Sequence, residues 1–370
     1  MRVLVVGAGA AGSLLGGTLA VAGHDVAFLD RTPVSPGTRE LLVVVDPAGR
    51  RTSVAVGMAG PGADAPGGSV GAAAPLPWVR AAAGLTPELI VVAVKQFDLP
   101  GALDACTAWP TVPALTVQNG VGAEEAAAAA RPAAGLVAGS LTAPVQLRAR
   151  TPGLAARALA EERAVHWLSR GGLGLAAVRG DVATLVRDLV ASFRAAGLRT
   201  AVLPDARAMK WSKLVANLVA NATSAILDLD PGEVYADRRL FDVERRQLAE
   251  ALAVMHALGL RPVALPGADV RLLALAVRAP AGVARVVLRR VVGGARGGKM
   301  PSLRGHVRAG GGPSEARWLN GAVADNGRRA GVPAAVNERL AALVDEVAGD
   351  AARRAWYTGR PDRLLAAIDG

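Results

Sequence analysis

A short apolar segment followed by closely spaced glycines constrains the fold of this chain more than any other feature. Residues 2–6 read RVLVV, GAGAAG follows at residues 7–12, and a helical run leads to a second apolar segment, DVAFL, at residues 25–29. In such a turn the first glycine allows the bend, the second lets phosphate approach the backbone, and the third lets helix pack on strand. The pattern predicts a dinucleotide site, with a ligand-free glycine turn as the alternative. Its candidate residues are Gly7, Gly9, Ala10, Ala11 and Gly12.

The other apolar segments of the first half predict a doubly wound parallel sheet, because helical stretches separate them. We expect a continuous apolar strand at residues 89–94, a strand that ends in a turn at residues 114–120, and a further strand at residues 135–141. Two further sets of extended segments are expected. One surrounds the turn DPAGRR within residues 41–58, and the other is antiparallel and lies within residues 144–168.

The pattern changes near Pro204, beyond which apolar residues recur with helical spacing. We therefore predict an α/β, Rossmann-like, doubly wound domain at residues 1–204 and an all-α domain at residues 205–370. The predicted helices of the second domain are 206–228, 238–258, 269–291, 314–330 and 334–352.

The end of the second strand bears on the choice of nicotinamide cofactor. An acidic residue there holds the ribose 2′-OH of NAD, whereas a basic residue accepts the 2′-phosphate of NADP. The chain has both, since Asp30 is followed by Arg31. We favour NADP(H) held through Arg31, with NAD held through Asp30 as the alternative.

Lysine is rare in this chain and marks a second candidate site. Of 42 basic residues only four are lysines: Lys95, Lys210, Lys213 and Lys299. An amine can be tuned to exchange a proton, whereas a guanidinium stays protonated. On the predicted helix 206–228, Lys213, Asn217 and Asn221 would form one polar ridge on an otherwise apolar and largely buried helix. On such a helix we expect Lys213 to be buried. The ridge could place a proton donor beside a bound hydroxyl or carboxylate, or could be a structural polar seam.

Two more polar residues follow predicted parallel strands. Lys95 comes after the strand at residues 89–94, and Asn119 after the strand that begins at Ala114. Because ligands bind at the carboxyl edge of an open parallel sheet, both are candidates for ligand contacts. A simple tight turn is the alternative for Asn119 and the glycine that follows it.

Taken in order, these segments resemble the ketopantoate reductase (2-dehydropantoate 2-reductase) family. The resemblance covers nearly the whole chain. It rests on GAGAAG (7–12), VKQFD (94–98), QNG (118–120), KLVANLVANATSAI (213–226), MPSL (300–303), SEARWLNGAV (314–323) and GVPAAVNERL (331–340).

The resemblance implies NADPH-dependent reduction of a 2-keto acid to a 2-hydroxy acid, with the substrate held between the domains. It implies that Lys213 is the proton donor and that Glu315 is the second catalytic residue. The other implied roles are cofactor contacts from Arg31, Lys95 and Asn119, and substrate contacts from Asn217, Asn221 and Ser302.

The chain departs from the family pattern on the substrate side. His306 stands where the family usually has an aspartate, AGGGP at residues 309–313 replaces a stretch built around Gly-Arg, and Lys299 stands where an asparagine is sometimes found. Because these departures lie on the substrate side, they leave the identity of the substrate less determined than the type of reaction. A family relative that reduces another secondary-metabolite keto acid and a non-catalytic NADP(H)-sensing protein are the alternatives.

The composition of the chain indicates which kinds of ligand, partner and cellular compartment to expect. The net charge of +11 suits anionic ligands, but scattered arginines and 3% aromatic residues argue against a nucleic-acid partner. Charged residues interrupt every long apolar stretch, so no membrane association is expected.

The single cysteine, Cys106, excludes an intrachain disulfide and favours the cytoplasm. Four scattered histidines show no metal-ligand spacing. The oligomeric state stays open, with a homodimer as one candidate.

Overall fold

A computed structural model describes most of the chain as two compact units. The first unit comprises Met1–Gln118 and Gly122–Ala206, and the second comprises Asn119–Val121 and Arg207–Gly370. The residues described are 1–30, 39–59, 86–148, 163–167, 171–295, 301–310, 312 and 314–369.

The described part of the first unit contains eleven strands that form one sheet. They are β1 (Arg2–Val6), β2 (Asp25–Leu29), β3 (Arg39–Val45), β4 (Arg51–Ala59), β5 (Leu89–Val92), β6 (Ala114–Thr116), β7 (Leu136–Leu141), β8 (Val145–Arg148), β9 (Arg163–Trp167), β10 (Leu173–Arg179) and β11 (Thr200–Val202). Their order in the sheet is β11-β10-β7-β6-β5-β1-β2-β4-β3-β9-β8.

The centre of this sheet is parallel, as the sequence predicts. β2, β1, β5, β6 and β7 are consecutive parallel neighbours. All four residues of β5 are buried, and so are the last four of β1. Continuous apolar strands of this kind are typical of a parallel sheet with helices on both faces.

The margins of the sheet contain antiparallel pairs. β3 and β4 form the hairpin expected around DPAGRR, and β8 pairs antiparallel with β9 as predicted. β10 lies antiparallel to β7 and parallel to β11. The sequence pattern did not predict β10, which lies between β7 and β11 in the sheet.

Helices cover the two faces of the sheet and enclose two apolar cores. In the described part of the first unit the helices are α1 (Ala10–Val21), α2 (Leu99–Ala105), α3 (Ala123–Ala130) and α4 (Ala183–Ala195). Leu15 of α1 and Phe193 of α4 belong to one core. Leu103 of α2 and Ala127 of α3 belong to the other. The sheet therefore separates two hydrophobic layers, as expected for a doubly wound fold.

The second unit is mostly helical. Its helices are α5 (Ala206–Leu218), α6 (Asn221–Leu227), α7 (Pro231–Ala236), α8 (Arg238–Ala257), α9 (Val270–Arg278), α10 (Ala281–Ala295), α11 (Ser302–Arg308), α12 (Asn320–Ala330), α13 (Ala335–Gly349), α14 (Ala351–Tyr357) and α15 (Pro361–Asp369). It also contains a 3-10 turn at Glu315–Trp318 and a two-residue hairpin of β12 (Ala264–Leu265) and β13 (Ala268–Asp269). Among the described residues, no helix has both the length and the apolar character needed to cross a membrane.

Several of the predicted helices are interrupted. The predicted helix 238–258 is continuous as α8, but 206–228 is divided into α5 and α6. The predicted helix 269–291 is divided into α9 and α10 at Pro280, whose ring blocks a helical backbone bond. The predicted helix 314–330 begins as the 3-10 turn and becomes α12 after Leu319.

Candidate active site

The glycine turn between β1 and α1 has the geometry of a phosphate-binding turn. Gly7 has a φ of 100°, and a Cβ atom there would lie 2.8 Å from Val94 Cγ1. A Cβ atom on Gly12 would lie 1.9 Å from the Gly7 carbonyl oxygen. A side chain at Gly7 would be strained by the positive φ, and one at Gly12 would collide with the backbone, which explains the first and third glycines.

The second glycine of the turn faces open space. Gly9 is the N-cap residue of α1, and a Cβ atom there would meet nothing within 4 Å. Ala10 and Ala11, the first residues of the helix, are partly exposed. Their N–H groups have no partner within the helix and lie at its positive end, so the turn fits the pyrophosphate of a dinucleotide.

Two predicted residues cannot be placed. Arg31, the candidate for the 2′-phosphate, and Lys299, a departure on the substrate side, lie outside the described residues. Asp30, which precedes Arg31, is partly buried at the end of β2.

The carboxyl ends of β5 and β6 are joined by a side-chain amide. Gln118 is buried, and its Nε2 atom donates to the carbonyl oxygens of Val92 at 2.9 Å and Val94 at 3.2 Å. Lys95 follows Val94 directly and is exposed. Gln118 therefore fixes the backbone next to a predicted cofactor-binding residue, a structural role that sequence reasoning missed.

Asn119 contacts a residue of the predicted substrate ridge. The segment Asn119–Val121 belongs to the second unit, although β6 belongs to the first. Asn217 Nδ2 donates to Asn119 Oδ1 at 3.2 Å. Gly120 has a φ of 83°, and a Cβ atom there would lie 2.2 Å from the Trp318 carbonyl oxygen. This short segment thus packs on both α5 and the turn that begins with Glu315.

The two lysines of α5 differ in burial, and the expectation for Lys213 was wrong. Lys210 is only 3% exposed, whereas Lys213 and Asn217 are partly exposed. Lys213 was expected to be buried because apolar residues dominate this helix. The partly exposed side of α5 instead carries Lys213 and Asn217, so both can reach a ligand.

The predicted ridge of Lys213, Asn217 and Asn221 is broken after Asn217. Ala220 has a φ of 48°, a left-handed conformation that costs a non-glycine residue about 1–2 kcal/mol. Its N–H donates at 2.7 Å to the buried carboxylate of Glu244 on α8. Asn221 therefore begins a new helix, and the interval of eight residues no longer places it on the face of Lys213.

Asn221 instead lies beside the start of α11. Its side chain is 4% exposed, and its Oδ1 atom accepts from the Leu303 N–H at 3.2 Å. Ser302, the first residue of α11, is exposed. The structure thus brings these two predicted substrate-binding residues together, although not on the ridge expected.

Ion pairs hold α11 against the end of α6. Arg304 is buried and pairs with Asp228 at 2.8 Å and with Asp230. Arg308 pairs with Asp228 at 2.6 Å. The hydrogen bond from Arg308, aided by Arg304, keeps the pKa of the Asp228 carboxyl below its usual value. Sequence reasoning missed this cluster, although arginines two and six residues after Ser302 were a visible signal.

Glu315 begins a 3-10 turn whose first two residues are buried and whose ends are held by hydrogen bonds. Glu315 is 7% exposed, and the preceding Ser314 accepts from the Ala316 N–H and donates to Asp345 at 2.6 Å. After the turn, Asn320 Nδ2 donates to Gln247 of α8 and to Asn337 of α13, each at 2.9 Å. The turn is therefore held at both ends.

His306, one of the departures from the family pattern, has a local role. Its Nε2 atom lies 3.2 Å from the Gly312 carbonyl oxygen. The imidazole thereby joins α11 to the glycine-rich segment that follows it, where a second departure occurs.

The chain matches two family models that together span most of its length. Residues 3–155 match "Ketopantoate reductase PanE/ApbA", and residues 205–348 match "Ketopantoate reductase PanE/ApbA C terminal". A similar curated protein is the 2-dehydropantoate 2-reductase of Halobacterium salinarum. It is 28% identical over 277 residues, which are 70% of this chain and 78% of the relative.

Solved structures share the fold. A PanE/ApbA family ketopantoate reductase from Ralstonia eutropha is 24% identical with a TM-score of 0.67, covering 94% of this chain and 98% of its own. A D-mandelate dehydrogenase with NADH and anilino(oxo)acetate has the same TM-score at 16% identity, with coverage of 94% and 98%. At these identities the structural likeness establishes the fold alone.

Proposed function

Since the chain belongs to the ketopantoate reductase family and is an oxidoreductase that acts on a CH–OH group, we propose that it reduces a 2-keto acid with NADPH. The proposed substrate is 2-dehydropantoate or a relative of it, and the product is the 2-hydroxy acid. The hydrogen bond between Asn217 and Asn119 carries this proposal. It joins a residue proposed to bind substrate with one proposed to lie near the nicotinamide.

We assign cofactor binding mainly to the first unit. The backbone around Gly7, Gly9 and Gly12 would hold the pyrophosphate, which the open space in front of Gly9 supports. Arg31 would hold the 2′-phosphate, and Lys95 and Asn119 would lie near the nicotinamide. The cofactor, when bound, supplies the hydride.

We assign proton transfer to Lys213. The carbonyl carbon of the keto acid receives hydride and its oxygen receives a proton, so the products balance as a secondary alcohol. The partial exposure of Lys213 next to Asn217 supports a role for its ammonium as the proton donor. Glu315 would orient the substrate or tune the lysine.

We assign substrate binding to Asn217, Asn221 and Ser302. Amide and hydroxyl groups can donate to a carboxylate without adding charge, which suits a keto acid. The contact between Asn221 and the backbone of Leu303 supports a shared site for Asn221 and Ser302.

The experiment that tests the proposal is a panel of 2-keto acids with NADPH and NADH, scored by kcat/KM. The panel includes 2-dehydropantoate, linear and branched aliphatic 2-keto acids and an aromatic 2-keto acid. The highest kcat/KM for 2-dehydropantoate with NADPH supports the proposal in full. A different best acid identifies a relative with another substrate. Tight NADPH binding without turnover of any acid contradicts the proposal and favours a sensor.

A further inference from the structure

The carboxylate of Glu244 is fully buried in the second unit and makes a set of contacts that the proposed reaction does not explain. Its relative exposure is 0%, and it lies on α8 among buried apolar residues. Oε2 accepts from the Ala220 N–H at 2.7 Å and from the Tyr235 hydroxyl at 3.2 Å. Oε1 accepts from the Thr223 hydroxyl at 2.6 Å. A buried carboxylate persists only with such partners, so its position is tightly determined.

These contacts lie at the break between α5 and α6. In one continuous helix the N–H of Ala220 would donate to the carbonyl four residues earlier, but here it donates to Glu244. One turn further along α8, Gln247 Nε2 donates to the Leu218 carbonyl oxygen at 3.4 Å. Two side chains of α8 thus form hydrogen bonds with the Ala220 N–H and the Leu218 C=O, the backbone groups that lie at the break.

The break determines where the predicted site residues lie. Lys213 and Asn217 precede it, and Asn221 follows it. Because Ala220 is left-handed, Asn221 turns away from the face of Lys213 and accepts from the Leu303 N–H beside Ser302. Any change at the break alters the placement of Asn221 relative to Lys213.

We propose that Glu244 is a positioning residue for the reductase reaction. By holding Ala220 in its left-handed conformation, it fixes the substrate-binding residues after the break relative to the proton donor before it. The inference rests on the proposed function. Glu244 itself acts through hydrogen bonds to the backbone and hydroxyls, and it contacts neither substrate nor cofactor in this role.

The test compares Glu244→Leu with Glu244→Gln. Leucine removes every acceptor at this site and leaves the Ala220 N–H buried without a partner. Glutamine retains an oxygen for Ala220 and Tyr235, and its amide can donate to the Thr223 hydroxyl, which also accepts. We expect Glu244→Leu to raise the KM for the best keto acid and to lower kcat/KM about tenfold or more, because small displacements of positioned groups are costly. Glu244→Gln should stay within about threefold of wild type, and both should bind NADPH normally.

A matched control separates positioning from stability. Met255→Ala removes a fully buried side chain from the same helix at a position about 16 Å beyond Glu244 along the helix axis. Assayed well below its melting temperature, it should lose stability and keep its kinetic constants. If Glu244→Leu likewise loses only stability, the inference is overturned. If Glu244→Leu does not fold, Glu244→Met serves instead, because it also removes both carboxylate oxygens. An unchanged keto-acid KM in that variant would also overturn the inference.

A rescue experiment strengthens the assignment. Glycine adopts positive φ readily, so Ala220→Gly in the Glu244→Leu background should recover part of the lost kcat/KM. No recovery would mean that Glu244 acts otherwise than through the conformation of Ala220. Wild-type turnover is measured first: no turnover of any keto acid refutes the proposed function, whereas turnover that Glu244→Leu leaves unchanged refutes only the role of Glu244.

Discussion

Asn217 donates a hydrogen bond to Asn119 over 3.2 Å, although 98 residues separate them in the chain. Asn119 follows a strand of the parallel sheet, and Asn217 lies on the helix that carries Lys213. This contact places the asparagine of QNG beside the first asparagine of KLVANLVAN. Two of the segments that carry the family resemblance are therefore in contact in the structure, and the first test concerns this contact.

A double-mutant cycle on Asn119 and Asn217 should detect coupling in kcat/KM. We expect the two alanine substitutions to be non-additive by about 0.5–1.5 kcal/mol, the net worth of a neutral hydrogen bond. The matched control pairs Asn119→Ala with Asn221→Ala. The only hydrogen bond described for the Asn221 side chain goes to Leu303, so this pair should be additive. Additivity in both cycles would mean that the Asn119–Asn217 contact does not contribute to catalysis.

Arginine at position 213 should abolish most turnover, whereas arginine at position 210 should act on stability. A guanidinium cannot readily release a proton, so Lys213→Arg should lower kcat by about two to four orders of magnitude and leave NADPH binding intact. Lys210 is 3% exposed, so Lys210→Arg should overpack its site and cost about 1–3 kcal/mol of unfolding free energy with kcat retained. Measured kcat and melting temperature distinguish the two. An active Lys213→Arg beside an inactive Lys210→Arg would show that the proton donor is misassigned.

Removal of Arg31 should discriminate between the two nicotinamide cofactors. Arg31→Ala should raise the KM for NADPH roughly ten- to a hundredfold, because a charge-assisted contact contributes about 1.5–3 kcal/mol. The KM for NADH should change little, since NADH lacks the 2′-phosphate. Equal effects on both cofactors would favour binding of the ribose through Asp30 and a preference for NAD.

Gly120 and Gly122 offer a matched pair for the segment that carries Asn119. Gly120→Ala places a Cβ atom 2.2 Å from the Trp318 carbonyl oxygen at a φ of 83°, so it should displace Asn119 and lower both stability and kcat/KM. Gly122 has a φ of 100° but open space around it. Gly122→Ala should therefore cost only the about 1–2 kcal/mol of a non-glycine residue in the left-handed conformation. If both variants have the same kcat/KM, the close approach to Trp318 does not position Asn119.

Asp228 should contribute stability that disappears in acid. Its pKa in the folded protein lies below the usual value for an aspartate, chiefly because Arg308 donates a hydrogen bond to it. A carboxyl whose pKa is lower in the folded than in the unfolded protein stabilises the fold at pH values above its unfolded pKa. This stabilisation is lost as the pH falls through the pKa of the folded state. Asparagine also tolerates the φ of 55° at this position, so Asp228→Asn isolates the charge.

Melting temperatures of wild type and Asp228→Asn test this pH dependence. The variant should be less stable by roughly 1–2 kcal/mol between about pH 5 and 8. The difference should shrink below about pH 4, where the Asp228 carboxyl of the unfolded chain takes up a proton before that of the folded protein. A difference that is constant down to about pH 3 would show that the charge of Asp228 is not the source of the stability.

Sequence alone determined the features that depend on neighbouring residues. RVLVV followed by GAGAAG predicts a strand, a glycine turn and a helix, because apolar runs and glycine spacing act within one β-α-β unit. The hairpin around DPAGRR and the parallel centre of the sheet were predicted for the same reason. The local pattern also marked Lys213 and Asn217 as polar residues of an apolar helix.

Tertiary structure decided the features that depend on residues far along the chain. KLVANLVANATSAI has no proline or glycine, so its pattern predicts one helix. It breaks at Ala220 because Glu244, 24 residues later, accepts its N–H from inside the core. In the same way, tertiary packing buries Lys210 rather than Lys213. β10 joins the sheet through its antiparallel pairing with β7. A residue's local sequence cannot report these partners, since the free energy of a buried hydrogen bond or packed side chain depends on which groups the fold brings next to it.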